Sequence, residues 1–398
     1  MIGAHLTAAT LLRVSAEGVA TAVVLTVQAR TGDAAAAGFL QTAMTLPYVL
    51  SGPVIGHALD RTARPRRLAL LLAAGYAVAT ALLFATAGRS ALVLALAVAA
   101  VIGCTEPIVV ALTSLLPRFV PAGRLSRAYG LEASSYNLAA IAGPGLAAGV
   151  AAFAGGGEFA GVAIVAAAVV GVCALPFLPF PPPPDRTDDA PPVSSIVTGG
   201  MVVLVRGRVL RALTVATTVG WLGFGGVAVT AVLLAGHLGA EPSAGGRLLV
   251  AMAVGSLLGS LASSRLLTPR HAEPVMIAGL VGFGASLGAA AAAPSVPWAM
   301  AAFVLAGLCE GPVFAATLML RQREAPPDRL GQVNTTAGSL KIGASALGAA
   351  LTAVLAGTLG ADGLLLAIAA CQLAGAALGV VLLNVPREKS IDAAEETP

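Results

Sequence analysis

Apolar stretches of roughly 20 residues recur along almost the whole of this 398-residue chain. A helix of about 20 residues spans the hydrocarbon core of a bilayer, which is roughly 30 Å thick. Hydrophobic residues make up 57% of the chain and charged residues only 11%, and the mean hydropathy is +0.90. A soluble chain of this length needs several times more charge to cover its surface. The sequence therefore predicts an all-α membrane protein.

Glycines, prolines and clusters of charge divide the apolar sequence into twelve candidate spans. An even number of spans places both termini on the same side of the membrane. The predicted spans cover, in order, residues 7–29, 35–58, 68–87, 91–116, 129–153, 159–178, 209–235, 244–267, 274–292, 298–320, 331–356 and 361–385.

The Lys and Arg residues are distributed unevenly between the two sides of these spans. Of the 23, 18 fall on one side, three on the other (Arg30, Arg89 and Arg247) and two within spans (Arg13 and Lys341). Cytoplasmic loops of membrane proteins are enriched in Lys and Arg. We therefore expect a multi-pass protein of the cytoplasmic (inner) membrane with both termini in the cytoplasm.

A Pro-rich, acidic stretch, PFLPFPPPPDRTDDAPPVSS, separates the sixth span from the seventh at residues 176–195. So many prolines exclude a regular helix or strand. The sequence predicts a six-helix bundle over residues 1–178, a cytoplasmic linker with an interfacial segment over 179–208, a second six-helix bundle over 209–385 and a cytoplasmic tail over 386–398.

The two halves of the chain resemble each other at an offset of about 204 residues. At this offset Glu106 aligns with Glu310 and Gly143 aligns with Gly348. A repeat that begins after six spans keeps the same topology, so its halves are related by an axis along the membrane normal. The repeat predicts twelve transmembrane helices in two pseudo-symmetric six-helix bundles.

Two short motifs accompany this organisation. The loop between the second and third spans reads GHALDRTARPRR from Gly56 to Arg67. It resembles the G-x-L-A-D-R-x-G-R-R signature that the major facilitator superfamily carries at this place. In the fifth span, Gly143-Pro144 resembles the G-P-x-x-G-G element of the drug and proton antiporters of that family. The resemblance covers essentially the whole chain and implies the major facilitator fold.

The resemblance also implies a gate at the cytoplasmic contact between the halves. Asp60 would lie at this contact, close to the positive N-terminal end of the eleventh span near Gly331 and to Arg61 or Arg64. The residues that the motifs assign to the gate are Gly56, Asp60, Arg61, Arg64, Gly143 and Pro144.

Six ionisable residues lie within the predicted spans, where an unpaired central charge costs about 3 kcal/mol on insertion scales. The six residues are Arg13, Glu17, Glu106, Glu132, Glu310 and Lys341. The resemblance implies that spans one, four, seven and ten line a central cavity, and four of the six fall on these spans. Their sum of minus two, if all are ionised, suits a cationic substrate, a proton or both. The candidate substrate-binding or proton-binding residues are Arg13, Glu17, Glu106, Glu310 and Lys341.

Neighbouring positions suggest how these charges are arranged. Arg13 and Glu17 are four residues apart on one helical face and are able to pair, and their mutual neutralisation is the alternative to a role in transport. Glu132 lies within about one turn of the cytoplasmic end and is expected to reach toward loop arginines. Lys341 is either a cavity residue or an ion-pair partner at the interface between the halves.

Glu106 and Glu310 lie near the middle of their spans, and Pro107 and Pro312 follow them closely. Proline removes a backbone donor, so we expect both helices to be kinked or loosened there. The two acids are candidates for a proton or cation site. The alternative is that both stay protonated and hold the kinked helices together as hydrogen-bond donors.

These observations favour a secondary active transporter that moves a small organic molecule by alternating access, with proton-coupled efflux as the leading mode. Uptake by symport or facilitated diffusion, and a non-transport membrane protein, are the alternatives. No catalytic constellation is evident, so an enzyme is not expected. The expected partners are the lipid bilayer, a small molecule and protons, with no nucleic acid, no cofactor and no metal, in a monomeric protein.

The charge distribution predicts on which side of the membrane each loop lies. Tags inserted after Asp189 and at Pro398 should be cytoplasmic, whereas a tag at Gly156 should be external, because only this arrangement places 18 of 23 basic residues inside. Protease protection of each tag in intact cells would measure its side. A protected, cytoplasmic tag at Gly156 would contradict the twelve-span topology.

Overall fold

The computed structural model describes residues 2–32, 34–154, 156–178, 180–181, 193–241 and 243–384. Within these residues the chain forms helices and connecting turns, as a backbone in hydrocarbon must satisfy its hydrogen bonds internally. Most of the Pro-rich linker and the whole predicted tail, 386–398, lie outside the described residues. The main helices are α1 (Ile2–Thr31), α2 (Ala34–Arg61), α3 (Pro65–Thr86), α4 (Leu92–Phe119), α5 (Leu125–Phe153), α6 (Ala160–Ala174), α7 (Arg208–His237), α8 (Ser243–Leu266), α9 (Ala272–Ala291), α10 (Val296–Glu324), α11 (330–359) and α12 (361–384).

The prediction of twelve transmembrane helices is confirmed by this architecture. Ten helical segments in the described ranges are long and apolar enough to cross a membrane, and the last of them has 55 residues, Leu330–Asn384. This segment contains two helices, because Gly360 adopts φ 63° and ψ −174° between them. Glycine takes positive φ at little cost. The remaining helix, α2, has 28 residues, spans about 42 Å and packs between α4 and α11.

The twelve helices form two bundles of six with equivalent internal packing. In the first bundle α1 packs against α5 and α6, and α2 packs against α4; in the second, α7 packs against α11 and α12, and α8 packs against α10. The glycines aligned by the repeat have matching places. A Cβ added at Gly143 of α5 would lie 2.6 Å from the Val14 carbonyl oxygen of α1, and one at Gly348 of α11 would overlap the Leu222 carbonyl oxygen of α7.

The two bundles meet through α2 with α11 and through α5 with α8. Both contacts are close because glycines face the partner helix: Gly52 and Gly56 lie against α11, and Gly130 lies against Ser264 of α8. Asn137 of α5 donates to the Ser256 carbonyl oxygen of α8 at 3.1 Å. We call the end of the molecule where α2, α4, α8 and α10 finish, at Arg61, Phe119, Leu266 and Glu324, the basic end.

A separate helix, Val193–Arg206, begins within the last three residues of the Pro-rich stretch, where no helix was predicted, and packs against α2, α7 and α11. Two consecutive glycines, Gly199 and Gly200, allow it to approach Gln332 and Thr336 in the first turns of α11. The segment that the sequence analysis placed at the membrane interface is therefore helical and contacts both bundles.

Packing within the second bundle depends on the absence of a side chain at Gly348. We expect Gly348→Ala to lower the thermal unfolding temperature of the detergent-purified protein, because overpacking costs about 1–3 kcal/mol. Gly343→Ala, one and a half turns away on the same helix, is the matched control, since a Cβ there meets no atom within 4 Å. Equal unfolding temperatures for the two variants would contradict the close contact between α7 and α11.

Candidate functional site

A cavity of about 540 Å³ lies between the two bundles. Its walls come from α1, α2, α4 and α5 of the first bundle and from α7, α8, α10 and α11 of the second. The α2–α11 and α5–α8 contacts close it toward the basic end. The side chains that the sequence analysis proposed for substrate or protons all line this one cavity: Arg13, Glu17, Glu106, Glu310 and Lys341.

The two aligned glutamates reach the cavity from different backbone settings. In α4 the regular helix stops at Thr105 and resumes at Ile108, because Pro107 has no N–H to continue the hydrogen-bond ladder. Glu106 lies at this interruption. In α10, Pro312 is accommodated within a helix that runs unbroken from Val296 to Glu324. The expected loosening is therefore found beside Glu106, whereas the helix of Glu310 stays continuous.

Arg13 is held by a buried polar cluster that joins three helices of the first bundle. Its guanidinium donates to Glu132 Oε1 and Ser135 Oγ of α5 and, at 3.1 Å, to Thr113 Oγ1 of α4. The same group lies over the Tyr136 ring, 3.6 Å from its centroid. The Arg13 side chain is only 1% exposed and Glu132 is fully buried.

The alternative in which Arg13 and Glu17 neutralise each other is wrong, because α5 crosses α1 at the level of Arg13 and Glu132 pairs with its guanidinium. The interpretation of Glu132 was wrong for the same reason. Its carboxylate does not reach loop arginines. Besides Arg13 it contacts His5, whose Nε2 lies 3.4 Å from Glu132 Oε2. With Arg13 neutralised by Glu132, Glu17 is left open to the cavity.

Lys341 is a cavity residue that contacts aromatic rings. Its Nζ lies 3.7 Å from the centroid of Trp221 and 4.8 Å from that of Phe314, distances at which a cation is attracted to a ring face. Phe314 in turn packs edge-on against Tyr136 of the first bundle, with ring centroids 5.1 Å apart. An aromatic row thus crosses the cavity between the bundles, with Arg13 over one end and Lys341 over the other.

The acids and Lys341 share one space. Glu17, Glu106, Glu310 and Lys341 all line the cavity, and Ser256 of α8 lines it with them. Three carboxyl groups therefore face the same cavity as one ammonium group, whereas Arg13 is neutralised by Glu132.

Asp60 lies outside the cavity, at the basic end, where it joins α2 to α11. Its Oδ1 accepts a hydrogen bond from the Gly331 N–H at 3.0 Å, and its Oδ2 accepts one from the Gln332 N–H at 2.8 Å. The carboxylate is 1% exposed. These N–H groups begin α11 and have no partner within the helix, so a carboxylate satisfies them and complements the helix dipole. The predicted contact near Gly331 is therefore present.

The other residues of the predicted gate have varied surroundings. An arginine that the sequence analysis did not name, Arg118 of α4, lies 3.4 Å from Asp60 Oδ1, whereas Arg64 is exposed and Arg61 is half-buried. Gly56 lets α2 approach the first turn of α11. Gly143 and Pro144 lie in α5, far from this contact, where Gly143 packs against α1.

Sequence reasoning missed one charged residue of the cavity. Arg321 falls one residue beyond the predicted tenth span, 298–320, and was among the 18 basic residues counted on one side of the membrane, yet it lines the cavity and is 8% exposed. Helical spacing could have found it. Arg321 follows Glu310 by eleven residues, which is three turns, and Phe314 and Leu318 lie between them on the same stripe.

Comparisons with known proteins agree with this architecture. Residues 6–226 and 213–398 match the family model described as Major Facilitator Superfamily. The uncharacterized MFS-type transporter y4rN of Sinorhizobium fredii (strain NBRC 101917 / NGR234) is 26% identical over 362 residues, which cover 88% of this chain and 87% of that protein. The multidrug efflux pump Tap of Mycolicibacterium fortuitum is 28% identical over 156 residues, 39% of this chain and 37% of that protein.

Solved structures share the fold at low sequence identity. The crystal structure of the human organic anion transporter MFSD10 (TETRAN) has a TM-score of 0.81 and 16% identity, covering 95% of this chain and 98% of that one. A bacterial homologue of the iron transporter ferroportin, in an outward-facing state, has a TM-score of 0.73 and 16% identity, covering 96% and 98%. Because the family model matches both halves of the sequence, the chain belongs to the Major Facilitator Superfamily of transporters.

Proposed function

We propose that this protein is a secondary active transporter that exports a small organic molecule across the cytoplasmic membrane in exchange for protons. The observation that carries the proposal is a cavity between two pseudo-symmetric bundles that is lined by Glu17, Glu106 and Glu310. Alternating closure of the two ends of such a cavity would move its contents across the membrane. Membership of a transporter family supports the same activity.

The direction of transport rests on two further arguments. The relative Tap is named a multidrug efflux pump, and it matches over part of the chain. The basic end carries most of the Lys and Arg residues, and we assign it to the cytoplasm by the charge rule. In this assignment the contacts that close the cavity are cytoplasmic, so the state described here would receive protons from outside.

The charges of the cavity suggest how protons and substrate are exchanged. Because Glu17 and Glu106 line the same cavity, a proton or an organic cation that enters it can bind to either carboxyl group. The aromatic row of Tyr136, Phe314 and Trp221 offers ring faces to an apolar or cationic body. One carboxyl group that holds either a proton or a cation, but not both, would couple the two fluxes.

The coupling is tested with Glu106→Gln and Glu310→Gln in proteoliposomes, using a compound first identified in a transport screen of lipophilic cations, antibiotics and sugars. We expect at least one variant to lose accumulation driven by a pH gradient, about tenfold or more, while it retains substrate exchange without a gradient. A glutamine keeps the size of the side chain but holds no exchangeable charge.

Glu158→Gln is the matched control, because Glu158 pairs with Arg89 at the other end of the molecule, outside the cavity. Wild-type accumulation by both cavity variants would refute coupling through these acids. Movement of the substrate in the same direction as the protons would favour symport instead.

The closed state depends on Asp60 in this proposal. Asp60→Asn removes the negative charge that the first N–H groups of α11 and Arg118 share, and hydrogen bonds to charged groups contribute about 1.5–3 kcal/mol each. We expect slower turnover at normal expression and faster thiol labelling, from the basic end, of a cysteine placed at Ser256.

Asp328→Asn is the control for this latch, since Asp328 lies in the loop just before α11 and pairs with Arg329. Labelling and turnover should stay at wild-type levels in this variant. Unchanged labelling in both variants would show that Asp60 does not hold the basic end closed.

A further inference from the structure

Arg321 is a buried cation that has no counter-ion among the described residues. It lies in the last turn of α10, lines the central cavity and is 8% exposed. Its side chain makes no hydrogen bond and no ion pair within the described ranges, and its Nε is buried without a partner. Arg323, two residues further on, shows the usual arrangement, with the carboxylates of both Glu273 and Glu324 against its guanidinium.

The other charges of the cavity do not neutralise Arg321. Glu310 lies three turns earlier on α10, about 16 Å along the helix axis. Glu132 is occupied by Arg13 and His5. Lys341, which lines the same cavity, is a second cation and cannot neutralise Arg321. The basic end of the cavity is therefore positively charged, whereas the acids lie further from this end.

A guanidinium keeps its proton under all physiological conditions, so Arg321 cannot shed its charge as a buried lysine can. A buried charge without a partner is strongly unfavourable, so the part of the guanidinium that opens into the cavity requires solvent or a bound anion. The planar fork of N–H donors suits an oxyanion, which it binds through two parallel hydrogen bonds.

We propose that Arg321 forms an oxyanion-binding subsite at the basic end of the cavity, for a carboxylate or phosphate group. The proposal rests on the proposed function only in one respect, that the anionic group belongs to the transported molecule. A substrate with an anionic group at Arg321 and an apolar or cationic part toward the aromatic row and the acids would satisfy both ends of the cavity. A free inorganic oxyanion would satisfy Arg321 alone.

Equilibrium binding tests the subsite without requiring transport. The purified protein, in a zwitterionic buffer of low chloride, is titrated with inorganic phosphate, with benzoate and with benzylamine, and calorimetry and the thermal unfolding temperature are recorded. We expect benzoate to bind and to raise the unfolding temperature. Binding of both anions would indicate a site for free oxyanions, whereas binding of benzoate alone would indicate that an organic body is required; either result supports the subsite.

Variants assign the binding to Arg321. We expect Arg321→Gln to weaken anion binding at least tenfold and Arg321→Lys, which keeps the charge without the fork, to weaken it less. Arg323→Gln is the matched control and should bind anions as the wild type does. Anion binding is measured without transport, so failure of the transport proposal, tested with Glu106→Gln and Glu310→Gln in proteoliposomes, and failure of the subsite are distinguishable.

Two results would overturn the subsite. One is the absence of any response of the wild-type protein to phosphate and benzoate. The other is anion binding by Arg321→Gln or Arg321→Lys that equals that of the wild type. Should the glutamine variant not fold, the lysine variant and the Arg323→Gln control still decide the question.

Discussion

The hydrogen-bonding needs of a backbone in hydrocarbon determine the rest of this structure. Helices satisfy those needs within each span, which leaves ionisable side chains as the polar groups that still require partners. Each such side chain is stable only where it meets an opposite charge, a helix terminus, an aromatic face or water. Arg13 meets Glu132, Asp60 meets the first N–H groups of α11, Lys341 meets Trp221, and Glu17 faces the cavity. These separate contacts together make up the polar interior between the bundles.

Features that depend on one helix, or on the order of helices, could be predicted from the sequence. Span length and charge distribution gave the twelve helices, and the alignment of Gly143 with Gly348 gave equivalent packing of α5 on α1 and of α11 on α7. The contact of Asp60 near Gly331 followed from a family motif. It could be expected in physical terms as well, because the start of a helix presents free N–H groups to a carboxylate.

Features that depend on how helices cross could not be predicted. The partner of Arg13 is set by the level at which α5 passes α1, and a spacing of four residues along one helix carries no information on that crossing. Arg118 is 58 residues from Asp60 along the chain, so no local pattern joins them. Arg321 was misplaced because a residue near a span end was assumed to face water outside the bundle, whereas its stripe with Glu310 and Phe314 faces inward.

The glycines between the bundles have a consequence for the kinetics of the cycle. At Gly52, Gly56 and Gly130 the halves touch through backbone and short hydroxyl side chains, with Ser339 and Thr335 of α11 against the first two glycines and Ser264 of α8 against the third. Surfaces of this kind separate without prior rotamer changes, so the activation barrier to parting the bundles should come from a few directional polar bonds. Asp60 with α11 and Asn137 with Ser256 are the ones described here. The two bundles should therefore stay together until those bonds break and should then separate rapidly.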